Sequence, residues 1–260
     1  MIGEQEINLT ELAQTLTSGE PFRYQPAQRR VRGVFNGKYA FDTLDAYFVW
    51  ERPYRPRYFV PAASFASNAI LIKMSPIMDT GDSAYLARLT VGDKSTDRVL
   101  IFNTQELDNL VMVDFGELDQ WFEENEPIYG QPKDPYKRID VLRTTRRIQV
   151  TLAGVTLAES RSPLLLLETS LRPQYYLLST DIQWEHLSKS DTETYCPYKG
   201  RATYYNVHVR GEIYKDLAWC YLFPVYESAL IAGCLCFYGE KVDFCVDGVR
   251  IHTVSGDISG

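Results

Sequence analysis

The feature that most constrains the fold of this chain is an internal repeat. Residues 29–37, RRVRGVFNG, align without gaps with residues 146–154, RRIQVTLAG, and the same offset of 117 positions places Glu51 opposite Glu168. After the offset changes by two residues, the further matched pairs are Gly81 and Gly200, Ser83 and Ala202, Tyr85 and Tyr204, and Gly92 and Gly211. Self-similarity over this length indicates two copies of one structural unit. The chain is therefore predicted to consist of two diverged copies of one domain.

Both copies are predicted to be mainly β. In the second copy, short segments rich in β-branched and aromatic residues lie at 147–153, 155–160, 163–168, 174–178, 201–210 and 242–246. Asp247-Gly248 stands between two apolar triplets and is typical of a hairpin turn. A short helix is predicted over Val225–Ala232, ended by Gly233, with Thr104–Met112 as its counterpart in the first copy.

An N-terminal helix precedes the repeat. Asn8 and Glu11 have the spacing of a capping box, and Gly19 follows as a stop signal. The apolar residues that recur at helical spacing are Leu9, Leu12, Ala13 and Leu16. This helix is predicted to be a packing arm, with binding to a partner as the alternative.

The predicted fold class is two tandem small antiparallel β domains, tent- or barrel-like, each with a short helix, plus the N-terminal helix. The predicted boundaries are residues 1–28 for the helical arm, 29–128 for a first, degenerate β domain, 129–145 for a bridge and 146–260 for the second β domain.

Charge and cysteine content narrow the class of protein. The net charge of −7 argues against nucleic acid as a partner, because phosphate binding needs clustered Lys and Arg. No apolar run approaches the ~20 residues of a membrane span, and no signal-peptide pattern is present, so a cytoplasmic protein without membrane contact is expected. The oligomeric state is left open. Five cysteines, an odd number, indicate reduced thiols.

Metal and cofactor motifs are absent from the sequence. There is no C-x-x-C pair, and Cys234 and Cys236 are predicted to be buried thiols on one face of a strand. The three histidines, His186, His208 and His252, are scattered. No D-x-D, P-loop or G-x-G-x-x-G pattern occurs, and the prediction is that neither a metal nor a cofactor is used.

Residues 194–205, TYCPYKGRATYY, resemble the hallmark of the domain-of-unknown-function family 427. The Tyr175-Tyr176 pair before them, Trp219-x-Tyr221-x-x-Pro224 after them, and the segments LDQWFEENE at 118–126 and DPYKRIDVL at 134–142 are similar to its two-copy members. The resemblance covers residues from about 29 to 250 and is strong in the second copy and faint in the first. It implies a small antiparallel β domain in tandem. It implies no settled activity, although a nucleotidyltransferase label is sometimes attached to the family.

The chain departs from the family pattern at three places. The first copy has Met78-Asp79-Thr80-Gly81-Asp82 where the second has the Cys-Pro-Tyr-Lys-Gly segment. Leu178 stands where the family usually has Pro, and Gln131 replaces a usual His. These changes favour a specialised activity that belongs to the second copy.

The Cys-Pro-Tyr-Lys-Gly segment is the predicted site. Pro197 and Gly200 indicate a turn that displays Cys196, Tyr198 and Lys199 at the mouth of a strand. An ammonium group near a thiol lowers the thiol pKa and makes it a better nucleophile. The predicted catalytic residues are therefore Cys196, Lys199 and Tyr198. The alternative is a tight turn that packs its own Cys and Tyr into the core.

Other side chains are predicted to surround this segment. The predicted substrate-binding residues are Tyr175, Tyr176, Tyr195, Tyr204, Trp219, Arg172 and Glu168. Ala202, Tyr204 and Asn206 are expected to share one strand face, as are Trp219, Tyr221 and Phe223. Glu168 and Arg172 are most simply a structural ion pair or a backbone anchor, and His186 is a candidate base near Cys196.

Three functions remain open from the sequence. The preferred one is a cofactor-independent enzyme, such as a cyclase or isomerase, that acts on a small apolar or aromatic molecule in a Tyr-rich pocket of the second copy. The second is a non-catalytic small-molecule-binding or protein-interaction module. The third is nucleotidyl transfer, as in the family label.

Overall fold

The computed structural model describes residues 7–20 and 22–251, so His252 lies outside the described residues. The chain forms two compact units that divide between Pro135 and Tyr136. Each unit has its own antiparallel sheets and its own apolar core. Within the described residues, no helix is long and apolar enough to cross a bilayer.

The first unit begins with helix α1 (Leu9–Thr17). Its strands are β1 (Arg23–Pro26), β2 (Val31–Phe35), β3 (Lys38–Thr43), β4 (Tyr47–Trp50), β5 (Pro56–Pro61), β6 (Ala69–Pro76), β7 (Ala84–Val91), β8 (Lys94–Phe102), β9 (Leu110–Val113), β10 (Gln120–Glu123) and β11 (Glu126–Ile128). They form a seven-stranded sheet in the order β1-β4-β5-β9-β8-β7-β6 and a four-stranded sheet in the order β11-β10-β2-β3.

The second unit repeats this plan. Its strands are β12 (Ile139–Arg143), β13 (Ile148–Leu152), β14 (Val155–Ser160), β15 (Leu164–Glu168), β16 (Gln174–Tyr176), β17 (Leu187–Cys196), β18 (Gly200–Val209), β19 (Glu212–Cys220), β20 (Leu235–Phe237), β21 (Asp243–Val246) and β22 (Val249–Ile251). The sheets have the orders β12-β15-β16, β14-β13-β21-β22 and β17-β18-β19-β20.

The pairings confirm the internal repeat. Strand β2 pairs with β3 and β10, and its counterpart β13 pairs with β14 and β21. Val60 pairs with Val111 in the first unit, and Leu177 pairs with Leu235 at the equivalent place in the second. The two copies therefore share one topology, and the predicted mainly antiparallel β fold is confirmed.

Helix α1 is a packing arm. The Asn8 side chain accepts hydrogen bonds from the backbone N–H groups of Thr10 and Glu11, at 3.1 and 3.2 Å, as an N-cap does. Its apolar face is buried against the seven-stranded sheet through Leu12, Ala13 and Leu16, beside Phe59, Phe102 and Met112. The burial of this face, rather than the propensity of nine residues, stabilises so short a helix.

The two short helices predicted within the repeat have different outcomes. The one in the second unit is present over Tyr226–Ile231, as a 3₁₀ helix that is interrupted at Ser228. The one in the first unit is wrong. Residues 104–112 form turns followed by β9, whose four residues are all buried. A continuous apolar run of this length suits a strand covered on both faces as well as it suits a helix, and the pairing with β8 decides between them.

The predicted boundaries also need adjustment. Strand β1 lies in the segment predicted as a helical arm, and β12 lies in the segment predicted as a bridge. Both strands pair within a unit, β1 with β4 and β12 with β15. The sheets formed by the described residues are open. Of the two forms predicted, tent-like and barrel-like, the structure therefore excludes the closed barrel.

The hairpin predicted at Asp247-Gly248 is confirmed. Both residues have positive φ, 53° and 82°, as a type I′ turn requires, and they join β21 to β22.

Candidate functional site

The Cys-Pro-Tyr-Lys-Gly segment forms the turn between β17 and β18. The Lys199 backbone N–H donates to the Cys196 carbonyl at 3.2 Å, which closes the turn. Gly200 has a φ of +97°, and a Cβ at this position would lie 3.2 Å from the carbonyl oxygen of Phe223. Glycine is therefore required both by the backbone conformation and by the close approach of the connection between β19 and β20.

The Lys199 side chain points into the protein. Its ammonium group forms a buried salt bridge with the carboxylate of Glu168, the last residue of β15. The Lys137 Nζ lies 2.8 Å from Glu168 Oε1, on the other side of the same carboxylate. We call Lys137, Glu168 and Lys199 the buried charge cluster.

The buried charge cluster holds two cations and one anion. The side chains of Lys137, Glu168 and Lys199 are 13%, 3% and 7% exposed. Burial alone would raise the pKa of Glu168, but the charges of Lys199 and Lys137 outweigh it and lower this pKa. Glu168 is therefore ionised at neutral pH, and the cluster carries a net positive charge that is shielded from water.

Tyrosines, a tryptophan and thiols form the adjacent core. We call this set the tyrosine cluster, and its buried members are Leu164, Leu166, Tyr176, Cys196, Ala202, Tyr204, Trp219, Tyr221, Ile231, Cys234 and Cys236. The Trp219 Nε1 donates to the Tyr176 hydroxyl at 3.2 Å, and the Thr194 and Tyr204 hydroxyls share a hydrogen bond of 3.0 Å. Burial raises the pKa of Tyr176 and Tyr221, so these phenols are neutral at neutral pH.

The first copy lacks both features. The repeat offset places Thr80 opposite Lys199, and the Thr80 hydroxyl donates to the backbone carbonyl of its own turn, that of Ile77, at 2.7 Å. Glu51, opposite Glu168, bonds Arg57 at 2.6 Å. The positions equivalent to Tyr176, Trp219, Tyr221 and Cys236 are Phe59, Leu100, Phe102 and Met112. The fold therefore forms without the buried lysine and with an apolar core in place of the tyrosine cluster.

Tyr198 connects the charge cluster to the next loop. Its half-buried ring lies 5.0 Å from Lys137 Nζ, within the range of a cation–π contact. Its carbonyl accepts a hydrogen bond of 3.0 Å from the hydroxyl of Ser228, which is completely buried. The Val225 backbone N–H donates to the Lys199 carbonyl at 3.2 Å. The connection that contains residues 221–234 is thus held directly on the motif, and we call it the capping loop.

The structure brings most of the predicted site residues together. Lys199, Glu168, Cys196, Tyr198, Tyr176, Tyr204 and Trp219 belong to the buried charge cluster, to the tyrosine cluster or to the edge of the latter. Three predicted residues lie elsewhere. Tyr175 packs into the other core on Phe244, Tyr195 is exposed, and Arg172 is exposed with no ion pair in the described part of the chain.

Cys196 is packed rather than displayed. It is 9% exposed and lies in the tyrosine cluster, and among the residues that the structure describes no hydrogen bond joins its thiol to the Lys199 ammonium group. The predicted display of Cys196 and Lys199 at a strand mouth is therefore wrong. The Lys199 ammonium group is instead paired with the carboxylate of Glu168, because a buried ammonium group needs a partner of opposite charge.

Three further contacts differ from the predictions. Glu168 bonds the two lysines and not Arg172. Phe223 is 89% exposed and does not share a face with Trp219 and Tyr221, because β19 ends at Cys220. His186 precedes β17 and Cys196 ends it, so the ten residues of that strand separate them by roughly 30 Å.

Sequence reasoning missed Lys137 and Ser228. Lys137 lies just before β12, within the segment 134–142 that carries part of the family resemblance. That resemblance was the sequence signal that could have identified Lys137. No sequence signal identified Ser228, because a serine in a predicted helix does not indicate that its hydroxyl bonds to a neighbouring turn.

These observations define a class: a tandem-repeat β protein in which, of the residues that the structure describes, only those of the second copy form a buried, net-positive cluster beside a tyrosine-rich core. Within the described residues, no group of three or more His, Cys, Asp or Glu side chains is placed to hold a metal ion. The family model described as domain of unknown function (DUF427) matches residues 23–108 and 140–248. The chain belongs to this family and contains two tandem copies of its domain. No curated protein shows significant sequence similarity to the chain.

Proposed function

We propose that the second domain is a cofactor-independent enzyme that isomerises or cyclises a small, largely apolar or aromatic molecule. The buried charge cluster is the observation that carries this proposal. A buried cation without a matching anion is costly, and the first copy folds in the same way without one. Perturbed, buried charges that the fold does not need are typical of functional sites.

The net positive charge suits a reaction that develops negative charge on oxygen. In the isomerisation of a β,γ-unsaturated ketone, a proton leaves the α-carbon, the carbonyl oxygen of the resulting dienolate becomes negative, and the proton returns to the γ-carbon as the double bond moves into conjugation. The ammonium groups of Lys199 and Lys137 stabilise that oxygen, and the Glu168 carboxylate takes up and returns the proton. Such stabilisation is strong where water is excluded. Atoms and charge balance without any co-reactant.

The surroundings suit an apolar or aromatic substrate. Trp219 and the phenols of Tyr176 and Tyr204 offer aromatic surface with a few hydrogen-bonding groups, which is the usual lining of a small-molecule site. Tyr198 is the half-buried residue between the charge cluster and the capping loop. In this proposal, the substrate enters as Tyr198 and the capping loop move aside.

Hydrogen exchange at carbon tests the proposal without knowledge of the natural substrate. The protein is incubated in D₂O with a panel of small aromatic ketones and 1,3-diketones, and deuterium at the α-carbon is measured by NMR. Exchange of at least one member should depend on the protein and should be about 100-fold slower in Lys199→Met, the usual size of the loss of one group that stabilises a developing oxyanion. The matched control is Lys189→Met, at an exposed lysine of β17, which should exchange at the wild-type rate. No protein-dependent exchange, or equal rates in Lys199→Met, would contradict the proposal.

A non-catalytic module is the second candidate, and the capping loop favours it. Phe223 and Tyr226 on this loop are 89% and 93% exposed, and large exposed aromatic side chains are common where proteins bind partners. Members of the same panel that show line broadening without exchange would support this candidate.

Nucleotidyl transfer, as in the family label, is the third candidate. It predicts that a nucleoside triphosphate with Mg²⁺ raises the melting temperature. The absence of a shift would leave this candidate without support.

A further inference from the structure

The second unit has an open cleft away from the buried charge cluster. Its volume is about 550 Å³, within the range of small-molecule sites. Its polar lining residues are Arg143, Thr144, Thr145 and Ser162, and its apolar lining residues are Leu164, Leu178 and Leu230. Leu164 begins β15 and Glu168 ends it, so the cleft and the charge cluster are roughly 13 Å apart along that strand.

Of the described residues that line the cleft, Arg143 is the only charged one. Its side chain is exposed, and no carboxylate pairs with it in the part of the chain that the structure describes. Three of the neighbouring arginines are paired, Arg138 with Asp140, Arg146 with Asp247 and Arg147 with Glu159. The protein has a net charge of −7, so carboxylates are in excess, and yet none pairs with Arg143 in the described part of the chain. The Arg143 guanidinium is therefore available to an external anion.

The lining is specific to the second copy. At the repeat offset, Pro26 stands in place of Arg143, Gln28 in place of Thr145, Asp45 in place of Ser162, and Pro61 in place of Leu178. The first copy therefore has no cation at this place and has a carboxylate instead of a hydroxyl. Because both copies have the same topology, the fold does not dictate the chemistry of the cleft.

We infer that this cleft binds a small organic anion, a carboxylate or sulfonate carried on an apolar or aromatic body. The Arg143 guanidinium presents parallel N–H donors that match the two oxygens of such a group. Thr145 and Ser162 add hydroxyl groups to the same lining. The partly exposed side chains of Leu178 and Leu230 bury the apolar body, which contributes roughly 25 cal/mol per Å² of apolar surface removed from water.

Two fluorescent probes of similar shape test the inference with the full-length protein. The anion is 8-anilinonaphthalene-1-sulfonate, and its neutral counterpart is N-phenyl-1-naphthylamine. The wild type should bind the anionic probe saturably, with one site and more tightly than the neutral probe. Arg143→Gln should weaken binding of the anionic probe about tenfold and leave the neutral probe within about twofold, because only the charge-assisted contact is lost. Leu230→Ser should weaken both probes.

Control variants separate the cleft from other effects. Arg201→Gln removes an exposed arginine of β18 whose side chain is 72% exposed, and it should bind both probes like the wild type. Arg143→Lys keeps the charge without the fork of donors and should be intermediate. Lys199→Met should leave binding of the anionic probe unchanged. The test of the cleft can therefore fail or succeed separately from the test of the proposed enzyme activity. Equal affinity for the two probes in the wild type, or unchanged anion binding in Arg143→Gln, would overturn the inference.

Discussion

At the scale of single residues, removing the anion of the buried charge cluster is predicted to cost more stability than removing one of its cations. Glu168→Gln leaves two buried ammonium groups without an anion and should lower the free energy of unfolding by about 3–5 kcal/mol. Lys199→Met leaves the neutral pair of Glu168 and Lys137 and should cost less than about 2 kcal/mol. Urea denaturation measures both.

An exposed pair is the control for this comparison. Arg147 and Glu159 bond at 2.6 Å with side chains that are 50% and 41% exposed, so Glu159→Gln should change stability by less than about 1 kcal/mol. If Glu168→Gln and Lys199→Met lowered the free energy of unfolding equally, the net charge of the buried charge cluster would not determine its effect on stability.

The five cysteines should differ sharply in reactivity. Four are buried, and burial raises the pKa of Cys220, to about 11, and of Cys234 and Cys236. Cys245 is the one with intermediate exposure. Because the thiolate is the reactive form and must be reached, iodoacetamide at pH 8 should label Cys245 first and the others only after unfolding.

Mass spectrometry of the native and urea-unfolded protein measures the five sites together. Rapid labelling of Cys196 in the native protein would contradict its packed position and would restore the activated nucleophile that its proximity to Lys199 in sequence had suggested.

At the scale of elements, the capping loop depends on one glycine. Gly200→Ala places a methyl group against the Phe223 carbonyl and should loosen the loop as well as strain the backbone. Gly211→Ala is the matched control, because its φ of +82° is similar and no atom lies within 4 Å of the added Cβ. The control should cost about 1–2 kcal/mol of backbone strain, and Gly200→Ala should cost more.

Hydrogen exchange of residues 223–231 distinguishes the two effects. These amides should exchange faster in Gly200→Ala and at the wild-type rate in Gly211→Ala. Equal protection in both variants would show that the contact between the motif and the capping loop does not hold the loop in place.

Strands were more predictable than helices in this chain. The predicted segment 155–160 coincides with β14, and 147–153 contains β13. Such strands can be predicted because a strand with one buried face alternates apolar and polar residues along the sequence. The Ile148, Val150 and Leu152 side chains are buried and the intervening residues are partly exposed. The 3₁₀ turns of the capping loop have no comparable pattern, because their position depends on the motif to which they bond.

At the scale of the whole molecule, each unit has its own core, and the second unit is predicted to fold alone. Residues 136–260 contain the strands β12 to β22 and the apolar clusters formed by them. A fragment of this length buries enough surface for cooperative folding. It should show a dispersed NMR spectrum and a single urea transition. A fragment without dispersed signals would show that the first unit is required for the second to fold.

The two copies differ in the composition of their cores. The first has an apolar core covered by α1, and the second has phenols, an indole and thiols at the equivalent positions. A duplicated domain can keep one copy for stability while the other accepts polar and charged groups that cost stability. The difference between the copies, more than any single motif, indicates where function lies.

The amino-acid sequence by itself determined the repeat, the antiparallel β class, the N-terminal helix and the copy that carries the unusual motif. These follow from local patterns, since periodic burial, turn residues and capping groups act over a few positions. Only the tertiary structure decided that Lys137, Glu168 and Lys199 meet, that Cys196 is packed, and that Arg143 faces an open cleft. Contacts between residues 31 positions apart depend on strand pairing and packing, which no local pattern specifies.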